Sequence, residues 1–183
     1  MYPSIALIGP ARSGKDSVAE ALSETHTRVA FADPLKEMAL RVNPVIPGWI
    51  KLGWDGTYRL SDAVTDVGWE RTKEDHPEVR RFLQKLGHQV RQGDPMYWVR
   101  QAFARIEATR GPVVITDCRY RNEADALRML GFKLIRVIRP GITGAGHVSE
   151  TELTHYITDA AILNDGDMDD LRCRAQMMLD HLL

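Results

Sequence analysis

Ser4-Ile5-Ala6-Leu7-Ile8-Gly9-Pro10-Ala11-Arg12-Ser13-Gly14-Lys15-Asp16-Ser17 is the stretch whose reading decides the fold. Its first five residues form a continuous apolar run, as expected of a strand buried on both faces. Gly9 and Gly14 let the backbone that follows curl so that its N–H groups face inward. Together with the N-terminus of the next helix, those groups make a cradle for the phosphates of a nucleoside triphosphate, and Lys15 reaches the outer phosphates. The candidate triphosphate contacts are therefore Gly9, Ala11, Arg12, Ser13, Gly14, Lys15, Asp16 and Ser17. Such loops carry Ser or Thr after the lysine, because a hydroxyl there binds Mg²⁺. Here that residue is Asp16, with Ser17 next. A carboxylate also binds Mg²⁺, but without metal it repels the phosphates it faces. Either Asp16 makes the metal more necessary, or it points away and Ser17 takes part. A glycine-rich turn with no ligand is the competing reading. The strand before, the helix pattern after and the lysine in place favour the phosphate loop.

Working outward, the 183 residues make one domain, or one domain with an elaborated insert. A hydrophobic content of 44% is enough to build a core without staples. A net charge of −1 gives no reason to expect nucleic-acid binding. Cys118 and Cys173 lie far apart with no metal spacing, which fits free thiols in a reducing cytoplasm. The apolar start is too short, and lacks the basic flank, for a signal peptide. No stretch is long enough to span a membrane.

Further apolar runs predict strands at Arg28–Phe31, Pro112–Thr116, Leu134–Ile138 and Ala160–Leu163. Helical patterns run from about Gly14 to Glu24, open again at Asn122 and again at about Asp169. Strands alternating with helices imply a parallel α/β sheet with right-handed crossovers. Residues 33–108 contain no convincing strand. Helix starts there are marked by Asp33-Pro34, Ser61-Asp62, His76-Pro77 and Asp94-Pro95. All four tryptophans, Trp49, Trp54, Trp69 and Trp98, fall in this stretch. The expected organisation is a core of 1–32 and 109–183, a helical insert over 33–108 able to hold a second substrate, and a lid at about 140–157.

Four other constellations sit where strands end, the edge at which open parallel sheets bind ligands. Asp117 ends the 112–116 strand and is placed to hold Mg²⁺ directly or through water; an ordinary strand-ending Asp is the alternative. Arg119 follows it, aimed at a transferring phosphoryl group, whereas Arg121 reads as a surface residue and Asn122 as a helix cap. Asp33 and Lys36 follow the second strand. They suit a hydroxyl and a phosphate, or equally a cap and a solvated lysine. Arg139 opens a glycine-rich stretch leading to His147 and Ser149, and Ser149-x-x-Glu152 is a capping box. Asn164 ends the fifth strand near the expected base, unless it belongs to a plain turn. On the helix around 82–91, Gln84 and Arg91 share a face, with Arg80 one turn earlier.

Gly14-Lys15-Asp16-Ser17, Phe31-Ala32-Asp33-Pro34-Leu35-Lys36, Leu83-Gln84-Lys85-Leu86-Gly87, the run Thr116 to Ala124, and Ile135 to Gly141 with His147 to Glu150 together resemble the phage-type deoxynucleoside monophosphate kinases. These belong to the nucleoside monophosphate kinase branch of phosphate-loop proteins. The resemblance implies a three-layer α/β/α fold with a five-stranded parallel sheet in the order 2-3-1-4-5 and a closing lid. It also implies Mg²⁺-dependent transfer of the γ-phosphoryl group of ATP to a deoxynucleoside monophosphate. On that reading Lys15, Arg119 and Asp33 are catalytic. Arg139 and Asn164 join the 9–17 loop at ATP, and Asp16 and Asp117 serve the metal. Asp33, Lys36, Arg80, Gln84, Arg91 and Trp98 hold the acceptor.

The implied partners are ATP and the monophosphate, with no nucleic acid and no membrane, in the cytoplasm, that of the host if this is a phage protein. The stretch 159–171 also resembles dephospho-coenzyme A kinases, so a different small phosphorylated acceptor stays open, as does a non-catalytic ATP-binding regulatory protein. Two features depart from the resemblance. Residues 141–156 contain no arginine, so Arg119, Arg139 or the insert must supply that charge. The tryptophan-rich stretch 49–69 matches no motif and is open to base selection or to homodimer contacts.

Overall fold

A computed structural model describes residues 2–46, 58–143 and 151–183. The apolar runs form five strands: β1 (Ile5–Ile8), β2 (Thr27–Val29), β3 (Val113–Ile115), β4 (Lys133–Ile138) and β5 (Ala160–Leu163). They pair in the order β2-β3-β1-β4-β5, and every pair is parallel. This is the expected order. Seven helices are present among the described residues: α1 (Lys15–Ala21), α2 (Ala32–Val42), α3 (Leu60–Asp75), α4 (Pro77–Gly93), α5 (Tyr97–Ala108), α6 (Arg121–Met129) and α7 (Met168–His181).

The central strands β1 and β3 are buried on both faces, which is why they read as unbroken apolar runs. Ile5, Leu7, Ile135, Val137 and Ile162 share one face and pack with Val18 and Leu22 of α1 and Leu171, Ala175 and Leu179 of α7. By the two-residue alternation of a strand, Ala6, Ile8 and Leu134 point the other way, and they too are fully buried. The register Ile5↔Lys133 through Ile8↔Arg136 runs β1 and β4 parallel, so the loops that leave their carboxyl ends emerge at one edge.

The chain divides into two compact units, 1–31 with 99–183, and 32–98. α5 straddles the boundary at Trp98, where the sequence suggested an insert running to 108. The 32–98 unit has its own core of Ala39, Ile46, Tyr58, Leu60, Ala63 and Val79, with Leu83. Burial, then the hydrogen bond to Asp66, pushes the Tyr58 phenol up to about 12. Residues 45 and 59 form an isolated antiparallel bridge. α3 is interrupted at Gly68, whose φ of 77° and ψ of 168° are not helical.

Several boundaries differ from the sequence reading for identifiable reasons. β2 stops at Val29 rather than Phe31, because the Phe31 N–H is taken by the Asp117 side chain at 2.8 Å instead of a ladder partner. α1 stops at Ala21 rather than Glu24, because the amides of Thr25 and His26 both turn back onto the Leu22 carbonyl. α6 opens at Arg121 with Tyr120 as its N-cap, so Asn122 lies inside the helix and is not its cap. α7 is capped by Asp167, whose carboxylate accepts from the Asp169 and Asp170 amides. Trp49 and Trp54, with His147 and Ser149, lie outside the described residues, as does the 144–150 part of the expected lid.

His26 makes acid stability a test of the packing beside β2. Its Nε2 faces the Pro3 carbonyl at 3.0 Å and so must carry a proton, while Nδ1 meets the Thr25 hydroxyl at 2.9 Å. The neutral ring satisfies both contacts when the Thr25 hydroxyl gives its one proton to Nδ1 at 2.9 Å rather than to the Leu22 carbonyl at 3.2 Å. Burial lowers the His26 pKa from 6.5, against the smaller opposing effect of the Pro3 hydrogen bond. A base whose folded pKa is depressed leaves the unfolded chain binding the extra proton. Stability is therefore lost as pH falls through 6.5 toward the lower folded value. Urea midpoints measured from pH 7.5 down to 5 should drop in the wild type and fall less steeply in His26→Gln. Equal slopes would remove His26 from the acid response.

Candidate active site

The loop leaving β1 is shaped by its two glycines. Gly9 has φ +150°, and a Cβ there would stand 2.6 Å from the Val137 carbonyl oxygen on the neighbouring strand. Gly14 has φ +97°, and a Cβ there would collide with the side-chain amide of Asn164. That amide donates to the Ser13 carbonyl at 2.9 Å, while the Asn164 backbone N–H donates to Ile138. Asn164 thus clamps the loop from the end of β5. Ala at Gly14 should destabilise the fold by about 1–3 kcal/mol, since it combines a positive φ with displacement of a clamping side chain. An unchanged denaturation midpoint for Gly14→Ala would contradict this packing.

Lys15 opens α1 but folds back into the loop. Its side chain is only 8% exposed, and Nζ donates to the Gly9 and Pro10 carbonyls at 2.9 and 2.7 Å, with the Ser13 hydroxyl at 3.5 Å. An ammonium held inside a ring of backbone is a fixed charge facing whatever the loop encloses. Arg12 adopts a left-handed φ of 65°, part of the same curl. Asp16, next to Lys15, instead points outward: its side chain is 85% exposed and its carboxylate lies 3.9 Å from the Arg28 guanidinium of β2. Ser17 is half-buried in the first turn of α1.

At the end of β3, Asp117 Oδ1 accepts the Phe31 amide, so this carboxylate joins the ends of β2 and β3. The turn that follows carries Arg119, exposed, above the buried carboxylate of Glu123. Glu123 Oε2 accepts from the amides of Arg119 at 2.9 Å and Tyr120 at 3.1 Å. The sequence reading did not single out Glu123. Its signal was an acid three residues after the helix cap, obscured because the cap is Tyr120 rather than Ser, Thr, Asp or Asn. Burial pushes the Cys118 thiol well up, and the charges of Glu123, Asp117 and Asp125 push the same way, so it remains an uncharged thiol. Arg139, just after β4, is exposed.

The segment after residue 150 is fastened to α6 and β4. Glu152, expected in a capping box with Ser149, accepts the Arg121 amide at 2.7 Å. Tyr156 donates to Asp125 at 2.5 Å, with the guanidinium groups of Arg121 and Arg128 over its ring. Arg136, a charged residue inside the apolar strand β4, donates to the Leu153 and Tyr156 carbonyls at 3.0 and 2.7 Å. It anchors the base of the expected lid, a role that reading it as one more strand position had hidden.

Within the 32–98 unit, Asp33 lies half-buried in the first turn of α2, and Lys36 sits one turn on with its ammonium 5.8 Å from the Trp69 ring centre. Burial pushes the Glu70 carboxyl up. Lys73, hydrogen-bonded at 2.6 Å, outweighs this together with the charges of Lys36 and Arg80, and holds the carboxyl below its ordinary value. Lys36 and Arg80 are thus brought to one patch. Gln84 is exposed and Arg91 half-buried on α4. Trp98, expected at the acceptor, is a core residue instead: it is 3% exposed, its indole N–H donates to the Gly87 carbonyl at 3.1 Å, and Tyr97 packs edge-on against it.

The chain is thus an α/β protein with a parallel sheet, a glycine loop after its central strand and a buried lysine in that loop. A model of the family described as deoxynucleotide monophosphate kinase matches residues 56–175, and the chain belongs to that family. The deoxynucleotide monophosphate kinase of Enterobacteria phage T4 is 31% identical over 121 residues, covering 62% of this chain and 47% of the phage protein. The uncharacterized protein ORF77 of Ictalurid herpesvirus 1 is 41% identical over 97 residues, covering 49% of this chain and 42% of that protein. The chain thus aligns with less than half the length of these two relatives. TT1252 from Thermus thermophilus, a solved structure, aligns over the whole of both chains at 18% identity with a TM-score of 0.49.

Proposed function

We propose that the protein transfers the γ-phosphoryl group of Mg-ATP to a deoxynucleoside monophosphate, giving ADP and the deoxynucleoside diphosphate in the cytoplasm. The observation that carries this reading is the buried Lys15 ammonium inside the glycine loop at the carboxyl end of β1, in a chain of this family. Phosphoryl transfer asks little covalent chemistry of a protein. It asks for positioning and for neutralisation of charge. The acceptor oxygen belongs to a phosphate already ionised at neutral pH, so no strong general base is needed.

In this reading the loop amides of residues 9–17 hold the triphosphate and Lys15 neutralises its outer oxygens. Arg119 meets the transferring group, with Arg139 near the donor nucleotide. Asp33, Lys36, Arg80, Gln84 and Arg91 receive the acceptor. Trp98 is left out of that set because its indole is enclosed.

The residues present suit Mg²⁺. Asp16 and Ser17 offer hard oxygen donors, and an exposed carboxylate suits an ion that keeps several waters and takes its other ligands from substrate phosphates. Bound there with ATP, Mg²⁺ would neutralise charge between the β- and γ-phosphates, and Asp117 is the candidate for its outer shell. Asp16→Asn should then shift the Mg²⁺ titration of activity to higher concentration; an unchanged titration removes Asp16 from the metal site.

The test is ADP production from Mg-ATP against dTMP, dGMP, dCMP, dAMP, their ribose counterparts and dephospho-coenzyme A. Fast turnover with one or more deoxynucleotides supports the reading and gives the base preference. Turnover only with dephospho-coenzyme A moves the acceptor while keeping the loop chemistry. ADP release that ignores every acceptor sinks the kinase reading and leaves an ATP-binding regulatory protein.

A further inference from the structure

We propose that Glu123 is the positioning residue for Arg119; the claim about rate rests on the kinase reading above. Glu123 is 1% exposed, yet it carries a carboxylate. Burying such a group is costly unless hydrogen bonds satisfy it, and a helix start that needed only a cap would be served by an exposed side chain. Here one oxygen, Oε2, takes both the Arg119 amide at 2.9 Å and the Tyr120 amide at 3.1 Å. The next amide, that of Arg121, ends on Glu152. Three successive N–H groups are therefore each held by a carboxylate. On the other side of the turn Asp117 is tied to the Phe31 amide. The backbone that bears Arg119 is fixed from both ends, and the exposed guanidinium keeps only its own side-chain rotations. The N-terminal end of the α6 dipole adds to the seat of the Glu123 charge.

This matters because an arginine that stabilises charge appearing only in the transition state must already be in place when the charge develops. A backbone that drifts carries the guanidinium with it, and a misplacement of about 1 Å can cost about a hundredfold in rate. Glu123 acts without touching substrate, so its loss should appear in kcat and not in nucleotide binding.

The experiment measures kcat and both KM values for Glu123→Ala, Glu123→Asp and Glu123→Gln, each in the wild-type and the Arg119→Ala backgrounds. It also measures hydrogen exchange at the Arg119 and Tyr120 amides. Glu123→Ala should lower kcat about a hundredfold with the KM values nearly unchanged. Because a single oxygen takes both bonds, the Gln carbonyl can stand in for it and should recover most of the loss. Glu123→Asp keeps the charge but withdraws the oxygen, so it should behave like Ala, and it serves if the Ala variant does not fold. In the Arg119→Ala background the same changes should have little further effect on kcat. The two amides should exchange faster in the Asp or Ala variant, while those of β1 stay protected.

Losses that multiply with Arg119→Ala would overturn the proposal, as would a loss confined to KM. Unchanged exchange at the two amides would overturn the geometry while leaving the kinase reading intact. Absence of acceptor-dependent turnover in the wild type would overturn the kinase reading and the claim about rate with it.

Discussion

Lys15→Met is expected to lower acceptor-dependent ADP formation by about a thousandfold or more, with the fold retained. Lys15 is buried with its ammonium on the Gly9 and Pro10 carbonyls, so it sits inside the loop. Methionine fills nearly the same volume without charge. The loop then loses hydrogen bonds worth about 1 kcal/mol each, but it also sheds the cost of a buried ammonium. The loss should therefore fall on catalysis and leave the thermal midpoint within a few degrees of wild type. Turnover close to wild type would remove Lys15 from the chemistry. A collapsed midpoint would mean that the lysine supports the loop instead of serving the phosphates.

Arg119→Ala should lower kcat by about a thousandfold, leave the KM for ATP nearly unchanged and leave the fold stable. The side chain is exposed, and the backbone contacts around it are made by the Arg119 amide, which alanine keeps. Arg119→Lys should recover only part of the rate, because an ammonium cannot present the planar fork of donors that suits a phosphoryl group. Steady-state kinetics with the preferred acceptor decide this. A rise in the KM for ATP at constant kcat would make Arg119 a donor-binding residue. No change in either would transfer the role to Arg139 or to the 32–98 unit.

The parts of this molecule that were legible in the sequence are those where one local pattern has one physical meaning. A buried parallel strand must be continuously apolar, and a phosphate loop needs glycines and a lysine at set spacings. Residues 4–15 therefore announced both, and the strand order followed from the resemblance they support. What stayed hidden depends on partners distant in the chain. Nothing near Trp98 says that its indole N–H will meet the carbonyl of Gly87. At Asn164 the sequence offered a base contact or a plain turn, and nothing nearby says that its amide will donate to Ser13, 151 positions away. Glu123 reads as an ordinary first-turn acid until its burial is seen. Arg136 is the converse case: a charge within an apolar strand was visible, but its acceptors lie beyond the glycine-rich stretch, at Leu153 and Tyr156. Asp16 is intermediate, since the sequence posed the choice between facing the phosphates and pointing away, and the structure turns it toward Arg28.

The most direct measurement follows the γ-phosphorus itself. ATP labelled at the γ-position is incubated with Mg²⁺, the protein and each deoxynucleoside monophosphate, and the products are separated. The proposed mechanism predicts label in the deoxynucleoside diphosphate, in equal amount to the ADP formed, and none there with Lys15→Met. Label recovered only as inorganic phosphate, with or without an acceptor, would contradict it.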